Sequence, residues 1–115
     1  MDFVREWVER SPYAASLGVR LTSLSEDSAA FLLPFNEVNA NPGGALHGGV
    51  YASLSSIGGH TLARAALGEA SGPWHTICFQ INYLAAAINE DVIGEARLLR
   101  RGKELCFVEV TTRTG

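Results

Sequence analysis

Residues 41–67 constrain the fold more than any other stretch. They read Asn-Pro-Gly-Gly-Ala-Leu-His-Gly-Gly and then a long run of small and apolar residues, a glycine-rich turn leading into a helix. Between Gly48 and Gly68 the only ionisable side chains are Tyr51, His60 and Arg64. A helix with so little charge is buried on most sides. Many of its residues are small: Ala52, Ser53, Ser55, Ser56, Gly58, Gly59, Ala63, Ala65 and Ala66. A glycine inside a helix costs about 1 kcal/mol against alanine. The Gly58-Gly59 pair therefore predicts something that approaches the helix backbone closely. The first turn carries Gly48 and Gly49, with no side chains to block their N–H groups. Such groups at a helix start form an anion site and can act as an oxyanion hole. The plainer alternative is that these glycines only allow a tight turn.

The rest of the chain supplies a sheet for this helix. Phe3, Val4, Trp7 and Val8 recur at helical spacing among charged residues, which predicts an amphipathic helix covering part of the domain. Ser11-Pro12 fits an N-cap and first helical position, opening a short helix that ends at Gly18. Val19–Leu24 and Ala29–Phe35 read as a hairpin around a Ser-Glu-Asp-Ser turn, and 36–44 as a loop. Thr76–Leu84 alternates cleanly, with Ile77, Phe79, Ile81 and Tyr83 on one face, and predicts a third strand. Val92–Leu99 and Leu105–Thr112 predict two more, joined by a turn at Arg100-Arg101-Gly102-Lys103. The order is α+β, an antiparallel sheet on one long buried helix.

The length of 115 residues allows one domain, with a small core. Hydrophobic residues make up 47% and charged residues 18%, which excludes a disordered chain. A net charge of −3 argues against nucleic acid as a partner. Cys78 and Cys106 lie in apolar runs and read as buried, reduced thiols, and no Cys/His spacing suits a metal. No apolar run has membrane-spanning length, and Asp2, Glu6 and Glu9 stand where a signal peptide would be basic and then apolar. The expected location is cytoplasmic.

Asn41-Pro-x-Gly-x-x-His47-Gly48-Gly49, followed by a small-residue helix and strand-like runs, resembles the hotdog-fold thioesterase superfamily. The similarity is greatest to its phenylacetate-pathway (PaaI-like) acyl-CoA thioesterase branch, and covers roughly residues 12 to 115. The resemblance implies a hotdog fold and an acyl-CoA substrate, with coenzyme A as part of that substrate and no other cofactor. It implies a homodimer or homotetramer built by pairing third strands, with sites between subunits. It also implies a sixth strand between the fifth and third. The chain stops at Gly115 before that strand, so a domain truncated at its C-terminus is expected.

Carried over residue by residue, the resemblance makes Gly48 N–H, with Gly49 N–H, the oxyanion hole. Asn41 becomes the residue that orients the attacking water; by itself it reads as an ordinary turn Asn before Pro. His47 matches the motif histidine, fixing the loop by hydrogen bonds or serving as general base. The family's catalytic Asp or Glu falls at Ser56, a neutral hydroxyl and a poor base. His60, one helical turn further on, is the replacement candidate, since a histidine near its ordinary pKa of about 6.5 suits general-base work. The alternative is a histidine hydrogen-bonded at a subunit interface. Thr76 matches a hydroxyl residue reaching the site from the partner subunit. Arg100, Arg101 and Lys103 stand where family members bind CoA phosphates, and otherwise form a solvated turn.

The expected function is acyl-CoA thioester hydrolysis. The alternatives are a catalytically weak acyl-CoA-binding protein, because of Ser56, and a hotdog hydratase or dehydratase, against which the missing acidic partner counts.

Overall fold

The computed structural model describes residues 1–115. Two helices open the chain, α1 (Asp2–Arg10) and α2 (Pro12–Leu17). Strands β1 (Arg20–Leu24) and β2 (Ser28–Leu33) follow, then a short 3-10 turn at Glu37–Asn39. The long helix α3 (Gly48–Leu67) comes next, and strands β3 (Val92–Arg101) and β4 (Cys106–Thr114) complete the chain. The strands form one antiparallel sheet in the order β1-β2-β3-β4. The sheet wraps on α3, the hotdog arrangement that the resemblance implies.

The core lies between the sheet and α3. Phe31 and Leu33 from β2, Val92 and Ala96 from β3, and Leu54, Ile57 and Leu62 from α3 are all buried. Burying each of the larger side chains contributes about 1.5–3 kcal/mol. Val4 and Val8 have no exposed surface, so α1 does cover the domain with its apolar stripe. The Arg5 guanidinium donates to the Leu21 carbonyl at 2.9 Å and ties this helix to β1.

Gly58 explains how the helix lies so close. A Cβ there would sit 2.8 Å from Val110 Cγ2 and 3.2 Å from Ala96 Cβ, so the β3–β4 surface occupies that space. Its neighbour does not share this role, because a Cβ at Gly59 would meet nothing within 4 Å. The close approach expected for the pair holds for one glycine only.

Three further differences from the sequence reading have physical causes. Residues 76–84 form no strand. The alternation is present, but a ladder needs a neighbouring backbone, and residues 72–86 make no backbone–backbone hydrogen bond within the chain. Ile77 is 78% and Leu84 92% exposed in consequence. Cys78 lies on this segment and is exposed, while Cys106 is half-buried on β4, so the expected burial of both thiols does not hold. Arg100 and Arg101 belong to β3, opposite Phe107 and Cys106, because a bulge near Leu99 lets the ladder continue; the turn begins at Gly102.

Gly58→Leu should therefore destabilise the chain by about 1–3 kcal/mol through overpacking. Gly59→Ala should stabilise it by up to about 1 kcal/mol. Urea unfolding of the two variants checks the contrast, and equal effects would remove the close-packing role of Gly58.

Candidate active site

The loop before α3 is held from several sides, and this sets the direction of the helix start. Asn39 is buried, and its side-chain amide donates to the Leu17 carbonyl at 2.9 Å. Its own carbonyl accepts from His47 N–H at 2.9 Å. Leu46 N–H donates to the Ala87 carbonyl at 2.9 Å, and Asn89 N–H to the Gly44 carbonyl at 3.0 Å. Gly44 has a φ of +88°, which favours glycine, and a Cβ there would meet the Asn89 side-chain amide, so any other residue would be strained and would displace Asn89.

His47 is the N-cap of α3. Its Nδ1 accepts from Gly49 N–H at 2.9 Å, and its carbonyl accepts from Val50 N–H at 2.9 Å. Gly49 N–H is thus occupied within the chain, whereas Gly48 N–H donates to nothing. Of the two donors expected at the helix start, one is free. The His47 nitrogen facing the helix is an acceptor, which places the proton of the neutral ring on Nε2.

His60 does not meet Ser56. Its Nδ1 lies 3.2 Å from Arg64 Nη1 and its Nε2 3.2 Å from Thr76 Oγ1. A guanidinium only donates, so Nδ1 accepts and the neutral ring carries its proton on Nε2, donated to Thr76. Trp7 from α1 stacks on the His60 ring at 5.9 Å between centroids, and the Arg64 guanidinium lies 4.0 Å from the centre of the Trp7 ring. Both ring nitrogens are therefore committed. Burial holds the His60 pKa below its ordinary value, and the charges of Arg64 and His75 push it the same way.

The remaining residues are dispersed. Ser56 lies eight residues beyond Gly48, about 12 Å along the helix, half-buried and with no hydrogen-bond partner for its hydroxyl in the chain. Asn41 is exposed on a shallow open groove that Glu37, Gly43, Gly44 and Asn89 also line. Arg100, Arg101 and Lys103 are exposed at the far end of β3. The helix start lies at the other end, since Leu46, Ala87 and Val92 line one small cavity. The ten residues of β3 separate the two ends by about 30 Å. Within one chain these cations do not join the helix start.

The structure adds residues that sequence reasoning missed. Tyr83 Oη donates to the Gly48 carbonyl at 2.8 Å. Tyr51 packs edge-on against Tyr83, with centroids 5.9 Å apart, and its Oη accepts from Ala87 N–H at 3.1 Å. Ser53 Oγ donates to the Gly49 carbonyl at 2.9 Å and lies 2.7 Å from Tyr13 Oη. Alternation grouped Tyr83 with Ile77 and Phe79 as an apolar strand face. Only its hydroxyl marked it out.

The His60 contacts have a consequence for pH. The unfolded chain takes up a proton at His60 near its ordinary 6.5, whereas the folded chain does so only at lower pH. The stabilisation is present above that ordinary value and is lost as pH falls through the folded one. Stability measured by urea unfolding should thus fall as pH drops below about 6.5, and should fall less in His60→Gln. An identical pH profile in the variant would contradict this assignment.

A family model of the thioesterase superfamily matches residues 43–115. A Halobacterium salinarum protein named as a candidate esterase is 28% identical over 115 residues, covering 96% of this chain and 76% of that one. The crystal structure of zebrafish thioesterase superfamily member 2 superposes with a TM-score of 0.80 at 27% identity, covering 97% of this chain and 82% of the other. A thioesterase family protein from Silicibacter pomeroyi gives 0.84 at 27% identity, covering 95% and 79%. The matched residues run from the glycine turn through α3 to the end of β4, and with them the chain belongs to the thioesterase superfamily.

Proposed function

We propose that the chain hydrolyses an acyl-CoA thioester, as a PaaI-like member of its superfamily, and does so slowly as its sequence stands. The observation that carries this reading is the free Gly48 N–H at the start of a twenty-residue helix. The helix dipole adds to that donor. A thioester carbonyl accepting from Gly48 N–H becomes more electrophilic, and gains most as its oxygen takes on charge.

The step is an addition and an elimination. Water adds its oxygen to the carbonyl carbon and loses a proton, the C–S bond breaks, and coenzyme A leaves as a thiol. The products are a carboxylate and free coenzyme A, and no further cofactor enters. Asn41 orients the water in this reading. What the chain lacks is the base. Ser56 is uncharged, and the two ring nitrogens of His60 are engaged by Arg64 and Thr76. Those two facts favour the second reading, an acyl-CoA-binding protein with little turnover.

The site belongs to a homodimer or homotetramer in this proposal. Residues 72–86 have backbone groups without partners, and their apolar side chains are exposed. Arg100, Arg101 and Lys103 then meet the CoA phosphates of a site whose helix start comes from another copy.

A panel of acyl-CoAs, with released coenzyme A measured by mass spectrometry, tests the reading on oligomers verified by light scattering. Wild type should turn over slowly. Ser56→Asp restores a carboxylate and should raise turnover at least about tenfold, since general-base help is worth about 10²- to 10⁴-fold. A fast wild type with an inactive Ser56→Asp would instead make the serine a working catalytic group. A stable monomer that hydrolyses acyl-CoA would overturn the shared site.

A further inference from the structure

The helix start contains a peptide unit held at both ends. The carbonyl of Gly48 and the N–H of Gly49 belong to one planar group. The carbonyl accepts from Tyr83 Oη at 2.8 Å, and the N–H donates to His47 Nδ1 at 2.9 Å. The peptide unit before it is held at its carbonyl, where His47 accepts from Val50 N–H at 2.9 Å, and it leaves Gly48 N–H free. Only the φ and ψ of Gly48 join the two units. Glycine has no Cβ to restrict those angles, and in the unfolded chain it samples more of them than any other residue. The restraint that a side chain would provide must come from elsewhere.

We propose that Tyr83 is a positioning residue that fixes the Gly48–Gly49 peptide, and through it the direction of the free Gly48 N–H. The proposal rests on the thioesterase reading above, in which that N–H polarises the thioester carbonyl. The Tyr83 ring lies 3.5 Å from where a Gly48 Cβ would be, so it also walls one side of the donor.

The segment that carries Tyr83 is placed for this task. Residues 72–86 lack a backbone ladder, yet the chain is fastened just after Tyr83. Ala87 N–H donates to Tyr51 Oη at 3.1 Å, and its carbonyl accepts from Leu46 N–H at 2.9 Å. Tyr51 belongs to α3 and touches the Tyr83 ring edge-on. The phenol is thereby referenced to the same helix whose first turn it holds. A second bond chain steadies the next carbonyl, from Tyr13 through Ser53 to Gly49. A donor aimed before the substrate arrives costs no reorganisation during reaction, which is where such groups gain their effect.

Tyr83→Phe removes one oxygen and keeps the ring. The side chain is 57% exposed, so the fold should tolerate the change. Two measurements decide the proposal. On an acyl-CoA that wild type hydrolyses, kcat should fall about fivefold with KM unchanged, the scale expected for one lost hydrogen bond. In the 15N-labelled protein, the backbone order parameters of Gly48 and Gly49 should fall from about 0.85 toward about 0.6, while those of Leu54 and Leu62 stay unchanged. Wild-type kcat in the variant overturns the positioning role, whatever the order parameters do. A rise in KM alone makes Tyr83 a substrate contact and also overturns it. If wild type hydrolyses no thioester, the thioesterase reading fails by itself. The order parameters then decide the clamp: a fall supports it and unchanged values overturn it.

Discussion

The structure depends on one close contact, α3 against the sheet at Gly58. With Val110 Cγ2 and Ala96 Cβ occupying the space a side chain would take, the helix backbone rests directly on β3 and β4. Interiors are packed so tightly that one added methyl group is felt. This contact sets how deep the helix lies and so where its first turn emerges. Gly48 and Gly49 stand at the edge of the core because Val50 and Leu54, the next residues along, are buried in it. The composition of the helix follows from the same constraint. Charged residues are excluded along most of its length, and Arg64 is accommodated only where Trp7 and His60 offer it a ring face and an acceptor.

Hydrogen-bond accounting then distinguishes the groups at the helix start. A helix leaves its first N–H groups without partners. In α3 the Gly49 N–H is taken by His47 and the Val50 N–H by the His47 carbonyl. The Gly48 N–H is left over, after a loop in which Asn41, Gly44, Leu46 and His47 N–H all donate to backbone carbonyls. The same accounting separates two histidines, His47, expected to fix the loop or to serve as general base, and His60, expected as a replacement base or an interface histidine. His47 caps the helix, and His60 ties α1, α3 and the segment around Thr76 together. Burial and neighbouring positive charge favour the neutral form of His60, the form that can accept from Arg64.

Much of the fold was legible in the sequence, for reasons that can be named. The scarcity of charge between Gly48 and Gly68 marked the buried helix. The strand expected at Val92–Leu99 is present, and there the structure buries Val92, Gly94 and Ala96. Strand formation at 76–84 was not legible, because alternation records which faces are apolar and not whether a neighbouring backbone is there to pair. The His60 cluster was hidden because it brings Trp7 and Thr76, from elsewhere in the chain, to His60 and Arg64 on α3. Tyr83 was hidden because its ring fits an apolar face and its hydroxyl has a partner only in three dimensions. Ser56 could be flagged by resemblance alone. Its lack of a hydrogen-bond partner emerges only with the structure.

The proposed hydrolysis depends on Gly48 N–H as the group that receives the thioester carbonyl. The most direct measurement titrates the 15N-labelled protein with an acyl-CoA analogue in which a methylene replaces the thioester sulfur, keeping the carbonyl but preventing hydrolysis. The Gly48 amide proton should move downfield as it gains an acceptor, and by more than that of Gly49, whose N–H already has one. Saturation of the protein with an unmoved Gly48 amide would contradict the account.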